Sequence, residues 1–201
     1  MPRNSIKIVA GVPGVGKTTV LQELERLSKE KTVRLKVVNF GSVMNELFEQ
    51  EGRKLHRDHM RRQDIGLQSR VQLQAARRIK RMAMKEPLIV DTHMFVRTTD
   101  GLWPGTPQKV LEELSPDAII LIEAKPEEIA KRRRQDTTRE RETNAPEDAT
   151  ADLEWSRYMA SANAVIAGIP IKIVNNNEGG QEKAALDLLR VVEKTNTVDH
   201  P

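Results

Sequence analysis

Short apolar runs alternate along this 201-residue chain with longer stretches whose apolar residues recur every three or four positions. The runs at 6–10, 33–38, 88–90, 118–122 and 169–174 are rich in Ile, Val and Leu and show little alternation. That pattern fits strands covered on both faces, so five strands are predicted. Between them lie helical stripes. Val20, Leu24 and Leu27 form one after the first strand, and Val71, Ala75, Ile79 and Met82 form another before the third. Leu153, Met159, Ala162 and Ile166 form a third before the last strand. The alternation predicts an α/β domain over residues 1–201, with a parallel sheet and helices on both faces. Trp103 and Trp155 read as packing residues.

Two stretches are too polar and too long for plain connections. Residues 41–68 contain Arg53, Arg57, Arg61 and Arg62, and residues 132–148 carry the run Arg-Arg-Arg-Gln-Asp-Thr-Thr-Arg-Glu-Arg. Ligands of open α/β sheets bind at the carboxyl ends of the strands, so arginine-rich insertions there suggest a site for anions. The bland alternative is a solvated helix face with intrahelical ion pairs.

Composition narrows the field. There is no cysteine, which removes disulfides and thiolate metal sites. The net charge of +4 suits a protein that handles polyanions. Aromatics at 3% argue against a base-stacking platform, so nucleic acid is not the expected partner. No apolar run approaches the roughly 20 residues needed to span a bilayer, and the first residues lack an apolar signal core. A soluble cytoplasmic protein is expected.

The chemistry is carried by Gly11-Val12-Pro13-Gly14-Val15-Gly16-Lys17-Thr18, which fits G-x-x-x-x-G-K-[ST] between a predicted strand and a predicted helix. Glycines let the backbone curl so that successive N–H groups face phosphate oxygens. The following helix, carrying Thr19 in its first turn, adds the positive end of its dipole. Lys17 reaches the β- and γ-phosphates, and the Thr18 hydroxyl can ligate magnesium. The third strand ends in Asp91, placed for a second magnesium contact. A moving phosphoryl group needs cations on both sides. The candidates are Arg97, Arg134, Arg139 and Arg141, with Arg57 and Arg61 in the first insertion. His93 falls near the site, while His56, His59 and His200 have no metal-ligand company and read as solvated or structural.

Taken together, the segment 11–19, Val-Asn-Phe-Gly41, Asp91-Thr-His93 with Arg97-Thr98, Trp103-Pro-Gly-Thr-Pro107 and Arg134-Gln-Asp-Thr-Thr-Arg139 resemble the archaeal type of adenylate kinase, in that family's order and over almost the whole chain. The resemblance implies a five-stranded parallel sheet of the P-loop nucleoside monophosphate kinase type and the reaction ATP + AMP to 2 ADP with magnesium. It implies that residues 41–68 cover AMP and that residues 132–148 form a short lid over ATP. Arg97 would hold the AMP phosphate, and Arg134, Arg139 and Arg141 would neutralise the transferring group. The loop 175–179 would lie against the adenine, and the chain would form a homotrimer. Two departures stand out. Other adenylate kinases place an arginine shortly after the Gly41 equivalent, where this chain reads Ser42-Val-Met-Asn-Glu46, so that role would move to Arg57 or Arg61. The lid also lacks the cysteines of the zinc-stapled version.

Two other readings compete with an AMP kinase. One is the same fold with a different acceptor, such as CMP, UMP or shikimate, although Gln74 could read an adenine edge. The other is an adenylate-kinase-like ATPase acting in RNA-particle assembly.

Overall fold

The computed structural model describes residues 5–50, 65–98, 101–136 and 145–196. In chain order these form β1 (Ile6–Ala10), α1 (Lys17–Glu30), β2 (Lys36–Asn39), α2 (Phe40–Gln50), α3 (Ile65–Ala83) and β3 (Leu88–Thr92). There follow β4 (Phe95–Thr98), β5 (Gly101–Pro104), α4 (Gln108–Leu114), β6 (Ala118–Glu123), α5 (Pro126–Gln135), α6 (Pro146–Ala167), β7 (Ile171–Asn175) and α7 (Gln181–Asn196). The five predicted strands make one parallel sheet in the order β2-β3-β1-β6-β7.

The near-continuous apolar strands have the expected cause, because both faces of the sheet are covered. Ile6, Ile8, Leu88, Val90, Ile119 and Leu121 pack on one face with Ala75 and Ile79 of α3 and Val110, Leu111 and Leu114 of α4. Their neighbours in sequence, Val9, Ile89, Ile120 and Ile122, face the other way. They meet Val20 and Leu24 of α1 and Ala184, Ala185 and Leu188 of α7. Period-two side-chain alternation therefore fills two cores at once. No helix among the described residues is long and apolar enough to cross a membrane.

Several expectations need correction. The second strand begins at Lys36 rather than at 33, and it extends to Asn39. Val33 and Leu35 still pack against the core, but outside the strand. The polar segment 41–68 opens as a regular helix, α2, with Phe40, Val43 and Phe48 buried, and its end already belongs to α3. The stripe drawn on α6 is only half in phase: Leu153 is buried and Met159 packs against the core, but Ala162 and Ile166 are exposed. Its buried residues are Ala149, Asp152, Leu153, Ser156, Ala160 and Ala164, while Ile166 is 53% exposed. Small side chains let this helix lie close to its neighbours, which a search for large apolar residues misses. Trp155 is not a packing residue. It is 46% exposed and meets Tyr158 edge to face on the outer surface. The antiparallel hairpin β4–β5 was not anticipated.

Candidate active site

The phosphate loop joins β1 to α1 at the carboxyl end of the central strand. Gly14 (φ 92°) and Gly16 (φ 80°) hold left-handed conformations that residues with a Cβ rarely adopt. Val12 and Val15 are buried and root the loop in the core beneath it. Pro13, Thr18 and Thr19 are exposed at its mouth.

The orientation of the loop is fixed through its carbonyls. His93 Nδ1 lies 3.1 Å from the Gly11 carbonyl oxygen. A carbonyl only accepts, so this contact places the ring proton on Nδ1. Arg133 Nε donates to the Pro13 carbonyl at 2.8 Å. The Val15 carbonyl accepts from Asn176 Nδ2 at 2.7 Å and from Arg132 Nη1 at 3.2 Å. Thus three alternate carbonyls, which would repel phosphate, are each tied to a donor outside the loop. Holding them outward favours the inward-facing amides that a phosphate cradle requires. Arg132 also donates to the Asn176 carbonyl at 3.1 Å and pairs with Glu128 at 3.1 Å, which fastens α5 to the loop after β7.

Inside the mouth, Lys17 Nζ pairs with Asp91 Oδ1, and both side chains are almost buried. Asn39 Nδ2 donates to the other Asp91 oxygen at 2.6 Å. The strand register sets this contact, because Asn39 and Asp91 are neighbours across β2 and β3. The Asn39 Oδ1 accepts from the Ser42 amide at 2.9 Å, so the same side chain caps α2. The oxygen donors Thr18 and Asp91 suit a hard cation. No cluster of three or more His, Cys, Asp or Glu suited to a metal occurs among the described residues. A single carboxylate with a hydroxyl beside a phosphate loop is a donor set that suits magnesium, which is commonly held by one or two carboxylates together with substrate phosphates.

The arginines are distributed differently from their listing along the sequence. Arg97 lies on β4 and pairs through Nη2 with Asp152 Oδ1, its side chain 49% exposed. Its guanidinium carbon also lies 6.0 Å from the centre of the Phe95 ring. Arg134 lies on the exposed side of α5, while its neighbours Arg132 and Arg133 touch the loop. Arg139 and Arg141, like Arg57 and Arg61, fall outside the described residues. Gln74 lines a groove of about 310 Å³ between α2 and α3, with Leu47, Gln50, Arg77, Arg78 and Arg81. Sequence reasoning missed Asp152, and it named Asn39, Arg132, Arg133 and Asn176 only within longer segments, without the contacts they make. His93 was placed near the site, but its contact with Gly11 was not foreseen.

The chain is similar to several known proteins. Residues 10–150 match a family model described as an AAA domain. The chain is 39% identical, over 95% of its length, to all of an adenylate kinase from Methanocaldococcus jannaschii. It is 41% identical, over 92% of its length, to 97% of an adenylate kinase from Thermoplasma acidophilum. Among solved structures it resembles a gluconokinase from Sinorhizobium meliloti 1021, with a TM-score of 0.50 and 16% identity over 100% of both chains. It also resembles a shikimate kinase from Bacteroides thetaiotaomicron, with a TM-score of 0.52 and 13% identity over 94% of this chain and 98% of that one. At such identities these last two speak for the fold alone.

Proposed function

Because the chain belongs to the archaeal-type adenylate kinases, we propose that it catalyses the reversible transfer ATP + AMP = 2 ADP with magnesium. The observation that carries this reading is the phosphate loop itself, with Lys17 and Asp91 at its mouth and the carbonyls of Gly11, Pro13 and Val15 tied outward.

ATP lies with its phosphates on the amides of residues 11–19. Lys17 leaves Asp91 for the β- and γ-phosphates as they enter. Thr18 and Asp91 would hold the magnesium ion, which when bound would supply positive charge to neutralise the transferring phosphates. Arg97 grips the AMP phosphate and aligns one of its oxygens with the γ-phosphorus. That oxygen forms the new P–O bond as the β–γ bridge breaks, leaving ADP on both sides. The transition state is loose and its charge is shared by the equatorial oxygens, so positioning and fixed cations carry most of the catalysis. Arg134, Arg139 and Arg141 supply those cations from the segment 132–148. The segment 41–68 closes over AMP, and closure excludes water as a competing acceptor. Assembly as a homotrimer and residence in the cytoplasm complete the reading.

Product analysis with ATP and a panel of AMP, CMP, UMP, GMP and shikimate tests it. Two ADP per ATP consumed, with AMP strongly preferred and activity lost in excess chelator, is the expected result. Preference for another acceptor, or phosphate release stimulated by RNA, would overturn it.

A further inference from the structure

Asp152 is 4% exposed and sits on the buried side of α6. Its two oxygens hold two different arginines. Oδ2 accepts from Arg133 Nη2 at 2.8 Å, and Oδ1 accepts from Arg97 Nη2. The arginines differ in burial. The Arg133 side chain is 1% exposed and is fixed at its other end by the Pro13 carbonyl. That of Arg97 is 49% exposed, on a short hairpin. One carboxylate therefore connects the hairpin to the phosphate loop through a chain of side chains: Arg97, Asp152, Arg133, Pro13.

We propose that Asp152 is a positioning residue that presents Arg97 to the phosphate of the acceptor nucleotide and locks its place relative to the phosphate loop; this rests on the reading of Arg97 given above. A guanidinium carries five N–H donors in a rigid fork. The ion pair engages Arg97 through Nη2, so the half-exposed remainder can grip a phosphate while the plane of the fork is held. Without this tether the long Arg97 side chain samples many rotamers, and each binding event must order it again. A reacting group misplaced by about 1 Å can lose about a hundredfold in rate.

Asp152→Asn separates this role from plain structural support. The isosteric amide keeps one acceptor oxygen, which the buried Arg133 retains, and turns an NH₂ group toward Arg97. Steady-state kinetics should then show the KM for AMP raised and kcat lowered, their ratio falling about tenfold to a hundredfold, with the KM for ATP within about twofold of wild type. If Asp152→Asn yields too little folded enzyme, Asp152→Glu replaces it. That variant keeps the charge Arg133 needs but shifts the carboxylate by one methylene, and the same AMP-specific split is expected. Arg97→Ala and the double variant Asp152→Asn/Arg97→Ala complete a cycle, in which the double should be no worse than Arg97→Ala alone. If Arg97→Ala impairs AMP use but Asp152→Asn does not, the positioning role is overturned while the Arg97 assignment stands. If the losses multiply in the double, or if ATP and AMP parameters fall alike, Asp152 acts independently of Arg97 and the proposal is equally overturned. Wild-type AMP kinetics in Arg97→Ala would remove both assignments.

Discussion

Replacing Asp91 by Asn should weaken binding of magnesium-ATP yet strengthen binding of metal-free ATP. The argument starts from the nucleotide-free site, where Asp91 is 8% exposed and pairs with Lys17. Metal-free ATP must draw Lys17 away from that carboxylate and then seat its phosphates beside a bare negative charge. Two unit charges 4 Å apart repel by about 4 kcal/mol at an effective dielectric of 20, and mobile solvent at the mouth reduces this. The net penalty is about 1–3 kcal/mol, or about fivefold to 150-fold in Kd. Asparagine removes both parts of it. With magnesium present the sign reverses, because the carboxylate then faces a divalent cation and its loss removes a ligand. The same change leaves Lys17, in the first turn of α1, without its anion near the positive end of the helix. The nucleotide-free variant should therefore be about 2–3 kcal/mol less stable, below the 3–5 kcal/mol typical of a broken buried pair because the lysine can reach water. Calorimetric titration of both proteins with ATP, in chelator and in excess magnesium, tests the inversion. Equal weakening under both conditions would refute the reasoning.

Three further outcomes are expected. Lys17→Ala should abolish phosphoryl transfer and leave the circular dichroism spectrum unchanged, since the side chain serves substrate rather than core; near-wild-type turnover would contradict this. Gly105→Ala should cost about 3 kcal/mol or more in denaturant unfolding, because its Cβ would lie 1.9 Å from the His93 carbonyl oxygen and the backbone must shift; a loss under about 1 kcal/mol would contradict it. Lys7→Met should stabilise the protein, because Lys7 is 1% exposed and burial pushes its pKa down, with Asp117 pulling the other way. The unfolded chain binds the extra proton between the lowered value and the ordinary lysine value of about 10.4, so wild-type stability rises with pH through that window. The gain from Lys7→Met should thus be greatest below the window and fade as pH climbs through it, whereas a gain independent of pH would rule the cause out.

The sheet was legible because its signal is local. A strand buried on both faces is apolar at nearly every position: Ile6–Ala10 and Ala118–Glu123 are buried throughout, and in them only Lys7 and Glu123 are charged. The phosphate loop was legible because glycine, lysine and threonine are each required by the chemistry at fixed spacing. The hairpin β4–β5 was not, since its four-residue strands have mixed burial and no apolar alternation. It is closed by Gly105, whose amide donates to the Met94 carbonyl at 2.8 Å. The contacts of Asn39 and Asn176 were also out of reach. Each follows or ends a strand as an ordinary loop-forming residue would. Their partners, Asp91 and the Val15 carbonyl, lie 52 and 161 residues away in sequence.

The three successive arginines of α5 were within reach of a closer reading. Consecutive residues on a helix point about 100° apart, so Arg132, Arg133 and Arg134 cannot all face one phosphate. Phase decides between them, and the apolar residues of the same helix reveal the phase. Ile129 and Ala130 are buried, and Arg133 lies four and three positions beyond them on the same face. An arginine on the buried stripe of a short helix needs acceptors inside the protein, because an unpaired buried guanidinium is too costly. The Pro13 carbonyl and Asp152 supply them. Asp152 occupies the same kind of position on α6, between the buried Ala149 and Leu153. A charged residue in phase with the apolar stripe on each of two packed helices, with opposite signs, is the sequence pattern of a buried ion pair. Here that pattern identifies the support of the phosphate loop, which motif matching alone does not reach.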